Sequence, residues 1–226
     1  MRSPDAVNKG RPRPKEPGRF HHGDLAEQLV VAATAMVESE GHGALTMRGL
    51  AKRLGVSDAA LYRHFDSREA LLAEVAVRGF LRFVEAQQEA QSGARDAFDS
   101  ISRFATTYVR FAAANPHWFR LQFSRPTTEG LGLVPDARAR LAPAEAAREE
   151  LLARWRAALP PGDDRVADLY RTVWATAHGL ASFVVERVFQ LVQTDAERIA
   201  AANVGIDLLV GALRAHAGTP PASAPS

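Results

Sequence analysis

The stretch TMRGLAKRLGVSDAALYRHFDSR, residues 46–68, reads as two short helices joined by a tight turn. Thr46 stands where a hydroxyl can accept from a free N–H of a first helical turn. Leu50, Ala51 and Leu54 follow it at helical spacing. Gly55 falls where that helix must stop and the chain must turn sharply, a position that favours a residue able to take φ > 0. Val56 is apolar inside the turn, and Ser57 caps a second helix that carries Leu61 and Phe65 inward, four apart. Ala51 is small and lies one turn before the glycine, where two helices can approach closely. Helix, short glycine turn, helix is the layout of a helix-turn-helix.

The outward side of the second helix narrows the reading. Its first turn shows Asp58, Ala59 and Ala60, small enough to let a helix end reach a groove floor, and Tyr62, Arg63 and His64 follow as a hydroxyl and two cationic groups. A recognition helix presents its N-terminal residues to base edges, with phosphate contacts around them. The competing reading is a buried helical pair with a decorated solvent face, which has no need of this combination.

Working outward, the 226 residues suffice for a sizeable core, in one large domain or two small ones. With no cysteine, disulfides and thiolate metal sites are excluded. No apolar run is expected to reach the roughly 20 residues of a membrane span. The N-terminus is charged and proline-rich, unlike a secretory signal, so the cytoplasm is expected. The net charge of +2 is unevenly placed. Residues 1–20 hold Arg2, Lys9, Arg11, Arg13, Lys15 and Arg19 against Asp5 and Glu16, or +4, leaving −2 for the rest. A basic arm on a near-neutral body suits a polyanionic partner such as the DNA minor groove; a solubilising tail is the alternative. Pro4, Pro12, Pro14 and Pro17 predict disorder over residues 1–19.

The first helix should begin near Gly23 or Asp24 and end near Glu40. His21, His22 and Asp24 invite a metal reading, but nothing nearby completes a site, so a phosphate contact or helix entry is favoured. Ser67 should cap a long helix to about Ala90. Helices are expected from Asp96 to Ala114 and from His117 to Phe123. Residues 124–135, with two prolines and two glycines, should be a loop. A helix interrupted or bent near Pro143 should run from Asp136 to Leu159, and two long helices should follow, Arg165 to Val192 and Asp195 to His216. Their apolar stripes are wider than one packing face requires, which suits an intermolecular four-helix bundle. With no strand run and no repeat, the chain reads as all-α, and residues 217–226 as a disordered tail.

FHHGDL at Phe20 to Leu25, LTMRGLAKRLGVSDAALYRHF, and SREALL at Ser67 to Leu72 together resemble the TetR family of bacterial transcriptional regulators. VWATAHGLASF, Val173 to Phe183, looks like the Trp-His-Gly motif in the C-terminal domain of one TetR subgroup. The resemblance implies a three-helix DNA-binding domain over residues 20–67 and a helical effector-binding and dimerisation domain over 68–216. It implies that Arg48 points into the major groove, where arginine can bridge guanine O6 and N7, and that Ser57, Asp58, Ala59 and Ala60 lie at or near base edges. Asp58 either accepts from cytosine N4 or simply favours the helix N-terminus. Tyr62 and His64 match phosphate-binding positions, and Thr46 can join them with its hydroxyl. Arg68, at the start of the long helix, can hold a phosphate together with free N–H groups. A small molecule in the C-terminal domain would change the spacing of the two heads. Its candidate contacts are Phe104, Tyr108, Phe111, Trp118, Phe123, Trp155, Tyr170, Trp174 and His178, each weighed against a role in the core. His178 shares a face with Trp174, and is satisfied either by a neighbour or by ligand.

The expected function is therefore a dimeric, ligand-responsive regulator that binds an operator in double-stranded DNA, most often a repressor, with no metal or cofactor. A transcriptional activator of the same fold and a helical interaction protein whose helix-turn-helix only packs are the alternatives. An enzyme is disfavoured, because the sequence has no glycine-rich phosphate loop, thiol, nucleophile elbow or paired carboxylates with a base in a defined motif.

Overall fold

A computed structural model describes residues 22–188 and 194–217; the expected basic arm and all but the first residue of the expected tail lie outside the described residues. Among these there are ten α-helices and no strand. The head is built from α1 (His22–Glu40), α2 (Met47–Leu54) and α3 (Asp58–Tyr62). Leu29, Leu45, Leu50 and Leu61 are fully buried in it, together with Leu71 and Leu72 from the start of α4 (Arg68–Gln91). Thus α4 belongs to two cores. Its first turns close the head, and its later Phe80 and Phe83 pack against the second core.

Ser67 caps α4 by accepting from the Ala70 N–H at 3.0 Å. The Arg68 guanidinium donates to the carbonyls of Leu45, at 2.7 Å, and His42, at 2.5 Å, which ties α4 to the connection between α1 and α2. Farther along, ion pairs brace α4 on both sides. Arg78 holds Glu27 of α1 through two hydrogen bonds, at 2.7 and 2.6 Å, and also holds Glu74 at 3.0 Å. Glu74, 6% exposed, takes two more hydrogen bonds from Arg140. Burial alone would push the Glu74 carboxyl up, but its bonds to Arg140 and Arg78 outweigh that and hold it below the usual carboxylate range.

The far end of α4 is fixed by a buried polar network. Gln91 Nε2 donates to the Ser100 carbonyl, Ser100 Oγ donates to Gln91 Oε1, and Trp155 Nε1 donates to Ser100 Oγ at 2.8 Å. Arg154 donates to the Gln91 carbonyl and Gln87 to that of Phe104.

The second core lies among α5 (Ala97–Ala114), α8 (Ala137–Trp155), α9 (Val166–Val185) and α10 (Asp195–Ala217). Trp155, Ile101, Val173 and Ala177 are at 0% exposure within it. Between α5 and α8 run α6 (Pro116–Gln122) and α7 (Arg125–Gly130), then a 3-10 turn at Leu131–Leu133. The loop expected over residues 124–135 is thus largely helical. Pro126, one of its two prolines, stands in the first turn of α7, where no backbone N–H is needed. Gly130 lets α7 lie directly on α4, since a Cβ there would stand 2.4 Å from the Glu69 carbonyl oxygen. Likewise α8 continues through Pro143 to Trp155 rather than being interrupted there. α9 ends at Val185, short of the expected Val192, where Arg187 turns the chain with φ +55°; residues 189–193 lie outside the described ones.

On α10 only Arg198, Ala202, Ile206 and Val210 are buried, while Val204 and Leu208 are 59% and 71% exposed. Contrary to the sequence expectation, α10 is long and apolar enough to cross a membrane by length and composition alone.

Candidate functional site

The exposed end of the head is positioned by local capping. Thr46 Oγ1 accepts from the Gly49 N–H and Ser57 Oγ from the Ala60 N–H, each at 3.1 Å. Between them Gly55 adopts the left-handed conformation, φ +67° and ψ +27°, and the Val56 N–H returns to the Ala51 carbonyl at 3.1 Å. A Cβ at Gly55 would be strained in that conformation, so glycine makes the sharp turn accessible. Leu50, Ala51 and Leu61 are buried behind it, so the starts of α2 and α3 are held on a rigid base.

Thr46, Arg48, Ser57, Asp58, Ala59 and Tyr62 are exposed on this surface, and His64 is half-buried. Ala60 departs from the sequence expectation. It is 8% exposed and, three residues after the Ser57 cap, packs into the head core. Arg68, expected to hold a phosphate together with free N–H groups, also donates from its guanidinium to the His42 and Leu45 carbonyls. Lys52, which sequence reasoning left out, is exposed, as is Arg63, which it noted as an outward cation without assigning it a contact. Among the described residues Arg48, Lys52 and Arg63 make no ion pair, leaving three cations available to an anion.

A second site lies beyond α4. A cavity of about 130 Å³ is lined by aromatic rings from α4, α5, α6 and α9 and by Phe123. Of the expected ligand contacts, Tyr108, Phe111, Trp118, Phe123 and Trp174 line it. Phe104, Trp155 and Tyr170 do not; their rings pack on one another, with centroids 5.3–5.9 Å apart. His178 lies just behind the lining, stacked on Trp174 and hydrogen-bonded through Nδ1 to the Tyr108 hydroxyl at 3.1 Å. Of the two roles open to His178, the described contacts supply the neighbour. Burial pushes His178 down and Tyr108 up, so both are neutral near pH 7.

The cavity also includes Phe80, Phe83, Ala112, Phe119 and Gln122, which the sequence reading did not nominate. Phe80 and Phe83 stand three apart on one helical face, but nothing in the sequence marks that face as a cavity wall. Two polar atoms of the lining residues are buried without a hydrogen-bond partner, Gln122 Oε1 and Trp118 Nε1. The Trp118 indole edge sits against α4 at Gly79, where a Cβ would stand 1.5 Å from Nε1. No group of three or more histidine, cysteine or acidic residues able to hold a metal occurs among the described residues, and the side chains of His21, His22 and Asp24 lie outside them.

Comparison with known proteins follows this division. Residues 29–75 match the family described as bacterial regulatory proteins, tetR family, and residues 101–221 match the tetracyclin repressor-like C-terminal domain. The chain is similar to the uncharacterized HTH-type transcriptional regulator YobS of Bacillus subtilis (strain 168), 28% identical over 113 residues, 50% of this chain and 59% of that protein. It is also similar to the nucleoid occlusion factor SlmA of Marinomonas sp. (strain MWYL1), 33% identical over 108 residues, 43% of this chain and 50% of that one. The chain thus spans about half the length of these curated relatives. A solved structure of a protein with unknown function from Rhodococcus sp. RHA1 superposes with a TM-score of 0.59 at 27% identity, covering 84% of this chain and 98% of its own.

Proposed function

We propose that this protein, which belongs to the TetR family of bacterial regulatory proteins, is a ligand-responsive, sequence-specific DNA-binding transcriptional regulator, a repressor released from a palindromic operator by a small molecule. The observation that carries this reading is the exposed end of the head. Two capped helices and a left-handed glycine turn present Arg48, Ser57, Asp58, Ala59 and Tyr62 together, with Arg48, Lys52 and Arg63 free of ion pairs among the described residues. The regulator named among its relatives supports the same reading.

In this reading Arg48 bridges guanine O6 and N7, and Ser57, Asp58 and Ala59 meet base edges. Thr46, Tyr62, His64, Lys52 and Arg63 set the register on the phosphates. Arg68 serves the interface by fixing α4 to the α1–α2 connection. The DNA-binding function lies in residues 20–67, closed by the first turns of α4, and the effector and dimer functions lie in 68–216.

The dimer is formed by α9 and α10, whose exposed Phe183, Val204 and Leu208 offer apolar surface for a second copy. A two-fold dimer that places its recognition helices about 34–36 Å apart meets successive major grooves. A ligand that binds better to a differently spaced state draws the population away from DNA.

The test is selection of a random duplex pool on the purified protein at near-physiological salt, followed by sequencing. A two-fold symmetric motif is expected, with affinity that falls steeply as salt rises. Uniformly weak, salt-insensitive binding would remove the DNA reading and leave a helical protein whose helix-turn-helix only packs.

A further inference from the structure

We propose that the aromatic cavity beside α4 takes an uncharged, single-ring aromatic molecule bearing one hydrogen-bonding group, which pairs with the Gln122 side chain. The proposal rests on the regulatory reading only for the consequence of binding, not for the ligand class. Size comes first. An apolar cavity of about 150 Å³ accommodates benzene, so the roughly 130 Å³ available here suits one ring.

Charge comes second. No acidic or basic side chain lines the cavity, and Tyr108, its one ionisable lining group, is bonded to His178. A carboxylate or ammonium would enter without a partner, at a large desolvation cost. Shape comes third. Phe83 already meets Tyr108 and Phe111 edge-on, with centroids 5.2 and 5.3 Å away. A guest ring can extend that edge-to-face array, whereas an alkyl chain cannot.

The polar group follows from Gln122. Its Oε1 is buried and unpartnered, and the rest of the wall is aromatic rings and Ala112. A buried acceptor left unpaired is costly, and a guest that supplies the missing bond gains that difference. Because the two ends of an amide can exchange places by rotation, a hydroxyl, which both donates and accepts, fits either orientation.

The experiment is calorimetric titration of the full chain at neutral pH with three probes, phenol, toluene and benzoate. Phenol should bind saturably, toluene about fivefold more weakly for want of one hydrogen bond, and benzoate about a hundredfold more weakly. Gln122→Leu should bring phenol down to the toluene level and leave toluene unchanged, and Ala112→Leu should abolish both by filling the space. Absence of saturable binding at millimolar phenol, benzoate binding equal to phenol, or a phenol preference that survives Gln122→Leu would each overturn the proposal. The same protein is then titrated with its selected duplex. Phenol that binds yet leaves DNA affinity unchanged upholds the ligand class and removes its regulatory role. DNA binding without phenol binding overturns the ligand class and leaves the regulator intact.

Discussion

Replacing Gly79 by alanine sets two opposing energies against each other inside α4. Helix propensity alone predicts that alanine is better by about 1 kcal/mol. Packing predicts the reverse. The new Cβ would stand 1.5 Å from Trp118 Nε1 and 2.0 Å from Cδ1. Relaxed carbon contacts lie near 3.5–4.0 Å, so the indole must withdraw by roughly 2 Å. Trp118 is itself buried, which leaves it little freedom to give way except into the aromatic cavity it lines. Overpacking of this kind costs about 1–3 kcal/mol. Taking about 2 kcal/mol against the gain of about 1, Gly79→Ala should be destabilised by about 1 kcal/mol, with phenol binding reduced as the ring fills the cavity. Urea unfolding at one fixed protein concentration measures the first effect, since the stability of a dimer depends on concentration. In a Trp118→Leu background the sign should reverse, and Gly79→Ala should then stabilise by about 1 kcal/mol. A Gly79→Ala protein more stable than wild type would refute the claim that the indole is seated on α4.

Arg48→Ala should weaken operator binding by about 1–3 kcal/mol and relax base preference at one position of each half-site; equal losses on all duplexes would reassign Arg48 to the backbone. Leu208→Glu should convert the dimer to monomer in sedimentation equilibrium while leaving the helical circular-dichroism signal unchanged, and a persisting dimer would move the interface elsewhere on the molecule. Glu74→Gln should lose about 1.5–3 kcal/mol at pH 7, because the charged partner of Arg140 and Arg78 is removed. The Glu74 carboxyl is held below its ordinary 4.5 in the folded chain. Its contribution is therefore complete above pH 4.5 and fades as pH falls through the lowered value, so wild-type and variant stabilities should converge in acid. Parallel acid curves would count against that contribution.

The head was legible because its determinants are local. Thr46, Gly55, Ser57 and Ser67 each act on backbone groups within four residues, and each bond is present. What the sequence concealed depends on neighbours distant in the chain. Gly130 reads as a loop former until α4 is seen passing beneath it. Arg68 looks free until the His42 and Leu45 carbonyls converge on it. Tyr170, Trp174 and His178 share one helical face, yet each step of four residues moves about 6 Å along the axis. That rise is enough to give Tyr170 to the Trp155 cluster and Trp174 to the cavity. Periodicity assigns a face, and what stands opposite decides between core and site.

The polar network at Gln91 has a mechanical consequence. With its far end held there, an α4 that moved as a rigid rod would turn about Gln91 as its fulcrum. Gly79, where the Trp118 ring bears, is 12 residues from that fulcrum, or about 18 Å, and Arg68, which grips the head, is 23 residues away, or about 35 Å. For such a turn the gain is about 2, so a displacement of about 1 Å at Gly79 would be about 2 Å at Arg68.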